Sequence, residues 1–156
     1  MTSARKIDRL LLEYGASHQN KTNKFIHWIC VPAIMFSLLG LLYVIPFPSE
    51  KSLLFNWAAV FIGLALVYYF TLSTAMFLGF IVVGGGFVIG NHYLYNVLTD
   101  NHLWFSVALF VLAWIGQFIG HKIEGKKPSF FKDLQFLLVG PAWLLSFIFN
   151  KIGLKY

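Results

Sequence analysis

Residues 18–47 read HQNKTNKFIHWICVPAIMFSLLGLLYVIPF. A polar stretch carrying His18, Lys21 and Lys24 gives way near His27 to an apolar run that continues to Phe47. A helix needs about 20 apolar residues to cross a bilayer, and the run over 25–47 meets that length. The same kind of boundary recurs along the chain. Eleven of the twelve Lys and Arg residues lie before His27, between Lys122 and Lys132, or after Asn150. Cytoplasmic loops of membrane proteins collect Lys and Arg. The three basic segments are therefore expected on one side, the cytoplasmic one, with the N-terminus inside. His18, His27 and His121 then gather at that face.

Composition agrees. The 156 residues are 58% hydrophobic and 12% charged, with a mean hydropathy of +0.72. A soluble domain carries about 25% charged residues, so this chain could not cover a soluble core with polar surface. A single membrane domain over 1–156 is expected. The net charge of +6 follows from topology and anionic lipid. It points to no nucleic-acid partner, because no basic stripe is interleaved with stacking aromatics. Cys30 is the single cysteine, so an intrachain disulfide and a CxxC motif are both excluded. No cleavable signal peptide is expected: the first 24 residues are polar and amphipathic, and no A-x-A site follows.

The remaining elements follow from periodicity. Ile7, Leu10, Leu11 and Tyr14 fall on one face of a helix over 4–17, within a cytoplasmic segment 1–24. That pattern suits a helix lying in the interface plane and equally one packed on a bundle. Residues 17–23 read as a polar loop. Further spans are predicted over 53–72, 75–97 and 103–120, with Ser73–Thr74 as a very tight inner turn. Gly86-x-x-x-Gly90 predicts close helix approach. A fifth apolar segment, 134–149, is interrupted by Gly140–Pro141. A re-entrant or interfacial hairpin is favoured over a fifth crossing, because Pro141 breaks a helix near its middle and the segment is short. The expected fold is an all-α integral membrane protein. It has four transmembrane helices, an N-terminal amphipathic helix, and a C-terminal re-entrant or fifth hydrophobic segment.

Ionisable groups within a membrane usually mark function, whereas at the interface they are cheap. Gln117, His121 and Glu124 share one helical face at the inner end of the fourth span, which suits a metal ligand with a partner behind it. His27, preceded by Asn20 and Asn23, sits at the inner mouth of the first span, and His18 lies across the polar turn. His121 alone is equally explained as an interfacial residue, and His18 or His27 alone is better explained as one. Together they offer three nitrogen ligands at one depth, the way mononuclear metal catalysts are built. His92 lies late in the third span, toward the outside, and reaches the other three only if that span is offset or broken. His102 reads as outer-loop surface. No P-loop, GxSxG, HExxH or Rossmann fingerprint is present.

At these residues the chain resembles a known family. The motifs are His18-Gln-Asn20-Lys-Thr-Asn23, then His27, then Val31-Pro32. In the second half they are Gln117-Phe-Ile-Gly120-His121, Glu124-Gly-Lys-Lys-Pro128 and Leu138-Val-Gly140-Pro141. They are similar to the motifs of the membrane-bound 2-hydroxy fatty acid dioxygenases, in order and over nearly the whole chain. Lys21 stands where a Pro is usual, and Ser129 where an Ala is usual. The resemblance implies an Fe(II)-dependent α-oxidation, with a 2-hydroxy fatty acid and O₂ as substrates and the bilayer as surroundings. It implies His18, His27 and His121 as ligands, with His92 a weaker fourth. Asn20, Asn23, Gln117, Glu124 and Lys122 would support the metal or substrate, and Lys24, Lys126 or Lys127 could attract the carboxylate. The implied source membrane is the cytoplasmic membrane of a prokaryote or the endoplasmic reticulum of a eukaryote. A homo-oligomer stays open. Two rival readings also stay open from the residues: a haem or quinone electron carrier with His27 and His121 as axial ligands, and a non-enzymatic transporter or scaffold.

Overall fold

The computed structural model describes residues 5–125 and 136–156, and among these it has six helices and no strand. They are α1 (Lys6–Ala16), α2 (Lys21–Val44), α3 (Trp57–Leu72), α4 (Thr74–Leu98), α5 (Asn101–Ile123) and α6 (Val139–Lys151). Three of them, α2, α4 and α5, are long and apolar enough to cross a membrane. Their outward faces are hydrocarbon: Val82 is 74% exposed and Leu112 is 66% exposed. Contiguous surface of this kind marks contact with a membrane or another protein.

Helix α2 is the hub and packs against α3, α4, α5 and α6. It starts at Lys21, inside the expected loop, because the Asn20 side chain accepts the N–H groups of Thr22 and Asn23. An Asn at this position satisfies donors that a helix start leaves orphaned. Its closest partner is α5. Gly116 and Gly120 permit the approach: a Cβ on Gly116 would stand 2.5 Å from Cys30 Sγ, and one on Gly120 would collide with Asn23 Oδ1. The predicted Gly86-x-x-x-Gly90 contact is different in kind. Gly86 faces open space, and only Gly90 meets a neighbour, the Phe36 ring. The ring of Phe149 from α6 fills the place of a side chain at Gly79 instead.

Two predicted boundaries shift. Helix α3 has 16 residues rather than the expected 53–72, about 24 Å of helix. Asn56 delays it: its side chain accepts from the Ala59 N–H and donates to the Ser52 and Leu53 carbonyls. In the fifth segment, Pro141 does not interrupt a helix. It lies in the first turn of α6, where its missing N–H costs nothing. At 13 residues, α6 spans about 20 Å. Residues 126–135, with Lys126, Lys127, Pro128 and Ser129, lie outside the described residues.

Helix α1 lies on the bundle rather than apart from it. Ile7, Leu11 and Tyr14 are buried, and α1 packs against α6. Leu10 sits at the margin of the same cluster. This contact carries the end of α1, and with it His18, over the first turns of α2.

Candidate metal centre

His18, His27 and His121 are all buried, and one ring nitrogen from each lies within 4.8 Å of the others. Three elements deliver them: the turn after α1, the second turn of α2, and the last turn of α5. The ring centroids of His121 are 5.5 Å from His18 and 5.2 Å from His27.

The orientation of two of these rings is fixed by backbone. His18 Nδ1 stands 2.6 Å from the Tyr14 carbonyl, and His27 Nδ1 stands 3.0 Å from the Asn23 carbonyl. A carbonyl can only accept, so in the neutral rings both Nδ1 atoms carry the proton. Both Nε2 atoms then present lone pairs, and these face each other at 2.8 Å. Two lone pairs at that distance repel unless a cation lies between or beside them. An Nδ1–H tied to a backbone carbonyl is the usual support of a metal-binding imidazole. The donor set therefore fits a divalent metal that accepts imidazole nitrogen: iron, zinc, copper or nickel.

Around this group the walls are aromatic. The Tyr14 ring stacks on His18 with centroids 4.2 Å apart, and Trp143 from α6 is 5.3 Å away. Neither residue was singled out from sequence. Tyr14 carried a signal in its spacing, one helical turn before His18. Trp143 carried none, because only tertiary packing brings α6 here.

Glu124 is not among the clustered ring nitrogens. Its carboxylate accepts the Gln19 N–H at 2.7 Å, the Asn20 N–H at 2.9 Å and Asn23 Nδ2 at 2.9 Å. It thereby ties the turn that carries His18 to the end of α5. Partial burial pushes its carboxyl pKa up, but the hydrogen bonds from Asn23, Gln19 and Asn20 outweigh this and hold it below its ordinary value. Asn23 and Gln117 are buried, Asn20 and Lys122 are exposed, and Lys24 is half-buried. Gln117 Oε1 has no hydrogen-bond partner among the described residues.

The other two histidines stand apart. His92 Nδ1 lies 2.7 Å from the Tyr43 hydroxyl near the far end of α4, away from the three. His102 is not surface. Because α5 begins at Asn101, His102 falls in its first turn and points inward, fully buried beside Tyr43 and Tyr95. A haem held between His27 and His121 does not fit, because His18 Nε2 occupies the space beside His27 Nε2.

A family model described as 2-hydroxy-palmitic acid dioxygenase Mpo1-like matches residues 4–152. Among curated proteins, the 2-hydroxy-palmitic acid dioxygenase MPO1 of Saccharomyces cerevisiae is 29% identical over 143 residues, covering 90% of this chain and 78% of the relative. No solved structure matches the chain.

Proposed function

Because the chain belongs to the Mpo1-like family, we propose that it is an iron(II)-dependent dioxygenase that shortens 2-hydroxy fatty acids by one carbon. The observation that carries this reading is the pair of Nε2 atoms facing each other at 2.8 Å, with both Nδ1 atoms bound to carbonyls. His18, His27 and His121 would hold the metal. Imidazole alone does not select iron, but zinc has no redox chemistry and the reaction consumes O₂. The chemistry contributed by bound iron(II) is redox: it lets O₂ take electrons from an organic acid. The overall balance closes without a further reductant. A 2-hydroxy acid plus O₂ gives the shorter acid, CO₂ and water, a four-electron oxidation matched by the four electrons O₂ accepts.

The chain's own groups bind and shield. Three neutral imidazoles leave positions open for a substrate whose hydroxyl and carboxylate offer two oxygens to one metal. Gln117 Oε1, buried one turn from His121, accepts the hydrogen of the substrate hydroxyl. Tyr14 and Trp143 keep water away from His18. Glu124 holds the Gln19–Asn23 turn, and so the spacing of His18 and His27. Lys24 and Lys122, at the basic end, attract the carboxylate from the membrane surface.

The positive-inside pattern supports one membrane domain with the N-terminus and the three histidines at the cytoplasmic face. In that reading α3 makes a fourth, short crossing. Helix α6 is too short to cross and returns to the inner face. The test is incubation of purified protein in detergent with Fe(II), O₂ and 2-hydroxyhexadecanoic acid, with mass spectrometry for the acid one carbon shorter. Chelator-sensitive product is expected. No product from protein that holds iron would contradict the reaction, and no iron at all would favour a non-enzymatic membrane protein.

A further inference from the structure

An open groove of about 430 Å³ runs along the seam between α1 and α6. Small-molecule sites span about 300–1,000 Å³. Gly15 and Ala16 leave the groove open on the α1 side, because neither carries more than a methyl group. A Cβ on Gly15 would stand 3.3 Å from Trp143 Nε1. His18 and Gln19 line the groove where α1 ends, and Lys24 lines it from the first turn of α2. His18 therefore belongs to two places. It lines the groove, and its Nε2 faces that of His27 at 2.8 Å.

The groove is charged at one end and apolar at the other. Lys24 and Trp28 lie one turn apart on the same face of α2, with Trp28 further into the apolar run. The Trp28 ring stands 6.2 Å from that of Phe147, which lines the groove from α6. Leu12 lines it from α1. These two apolar side chains continue the groove to the exterior, Leu12 being 73% exposed and Phe147 40% exposed. No acidic residue lines the groove among the described residues. The one ion pair among them joins Arg5 to Asp8, so the Lys24 ammonium has no carboxylate of its own. The open groove beside Arg5 and Lys155 differs on this point, because Asp8 lines it and already holds Arg5.

We propose that this groove docks the 2-hydroxy fatty acid, with the carboxylate on Lys24, the first part of the chain over Trp143 and Phe147, and the remainder in the bilayer beside Leu12. This rests on the dioxygenase reading above and adds to it the side of the bundle on which the acid binds. Three features select the occupant. The ammonium of Lys24 needs an anion, the Trp28–Phe147 end takes hydrocarbon, and His18 puts the head group beside the clustered imidazoles. A neutral lipid lacks the first contact, and lipid elsewhere in the bilayer is as apolar as the far end of the groove. The groove therefore selects by head group and tolerates different chain lengths, because only the first part of the chain meets protein.

Two measurements test this with the full chain in phosphatidylcholine nanodiscs. The first is kinetic. Lys24→Gln should raise KM for 2-hydroxyhexadecanoic acid about fivefold, the scale of one basic residue at a membrane surface. Lys24→Glu should raise it further, and both should leave kcat and bound metal unchanged. Lys151→Gln removes the same charge from the exposed last turn of α6 and should match the wild type. Equal KM values for Lys24→Gln and Lys151→Gln, or a fall in kcat alone, would overturn the docking site. The second needs no turnover. The same acid carrying a diazirine in its chain should, after illumination, leave adducts concentrated on Leu12 and Phe147. Unlabelled acid should compete them away, hexadecanol should not, and Lys24→Glu should lose them. Adducts that hexadecanol removes equally well, or that spread over lipid-facing positions such as Val82, would overturn the proposal. Equal competition by added phosphatidylglycerol would assign the groove to lipid head groups and also overturn it. If the wild type turns nothing over, the dioxygenase reading has failed, and the adduct map alone decides whether the acid docks here.

Discussion

Replacing Gly120 by Ala should damage the candidate site from a position that offers no ligand. Gly120 lies where α5 meets α2, and a Cβ there would collide with Asn23 Oδ1 and stand 3.4 Å from Ile26 Cγ2. Asn23 is fully buried and has no free direction to move. Its Nδ2 donates to Glu124 Oε2 at 2.9 Å, and its carbonyl accepts the His27 Nδ1–H at 3.0 Å. Forcing the helices apart costs about 1–3 kcal/mol, and swinging Asn23 away from a carboxylate costs about 1.5–3 kcal/mol. Exchanging Gly for Ala inside a helix returns about 0.5–1 kcal/mol. The net loss should therefore be about 1.5–5.5 kcal/mol. Disturbing the carbonyl behind His27 should also weaken metal affinity about 10–100-fold. Gly85→Ala is the matched control, because nothing lies within 4 Å of a Cβ at that position. It should gain about 0.5–1 kcal/mol and leave metal binding alone. Helical circular dichroism during denaturation in detergent, with a competitive metal titration, reads both quantities. If Gly120→Ala matched Gly85→Ala in stability and in affinity, the claim that the α2–α5 contact sets the site would be wrong.

His102 is buried with neither ring nitrogen hydrogen-bonded among the described residues. His102→Leu should thus be neutral or up to about 1 kcal/mol more stable, with metal content unchanged; a loss of metal would mean that the outer end belongs to the site. Glu124 has a depressed carboxyl pKa, so its stabilisation is full above the ordinary carboxylate value, about 4.3, and fades as pH falls through its lower folded value. The metal-free protein should lose melting temperature over that acid range, and Glu124→Gln should lose less; parallel pH profiles would refute the clamp. Tyr69, fully buried, donates its hydroxyl to the Leu138 carbonyl at the start of α6. Tyr69→Phe should cost about 1 kcal/mol and loosen α6, which limited proteolysis at the α6 N-terminus would detect.

The common position of three histidines at the basic ends of apolar runs was legible in the sequence, because it follows from where charge meets hydrocarbon. His18, His27 and His121 each stand at such a boundary, and the structure brings those three together. Direction around a helix was less legible. His102 read as loop surface, and a helix start only slightly earlier turned it into the bundle. Asn56 looked like part of a span, yet its side chain caps the following turn and shortens α3. Pro141 looked like a mid-helix break and is instead part of a first turn. Each error is a matter of helix ends: a side-chain hydrogen bond sets the boundary at Asn56, and no side-chain cap marks the starts of α5 and α6. Beyond the three histidines, individual contacts distant in sequence carried little signal. Glu124 was placed on the face of His121, but nothing along the chain announced that it would accept backbone N–H groups from Gln19 and Asn20. Trp143 reaches His18 only because α6 packs against α1.

The central claim is that three imidazoles hold one redox metal, and metal content tests it most directly. Protein reconstituted with Fe(II) without oxygen, freed of excess ion and analysed by mass spectrometry should hold about one iron per chain, the stoichiometry of a mononuclear site. His18→Ala, His27→Ala and His121→Ala should each lose that iron while remaining folded, and His92→Ala should keep it. A wild type that holds no iron, or a folded His27→Ala that retains it in full, would contradict the account.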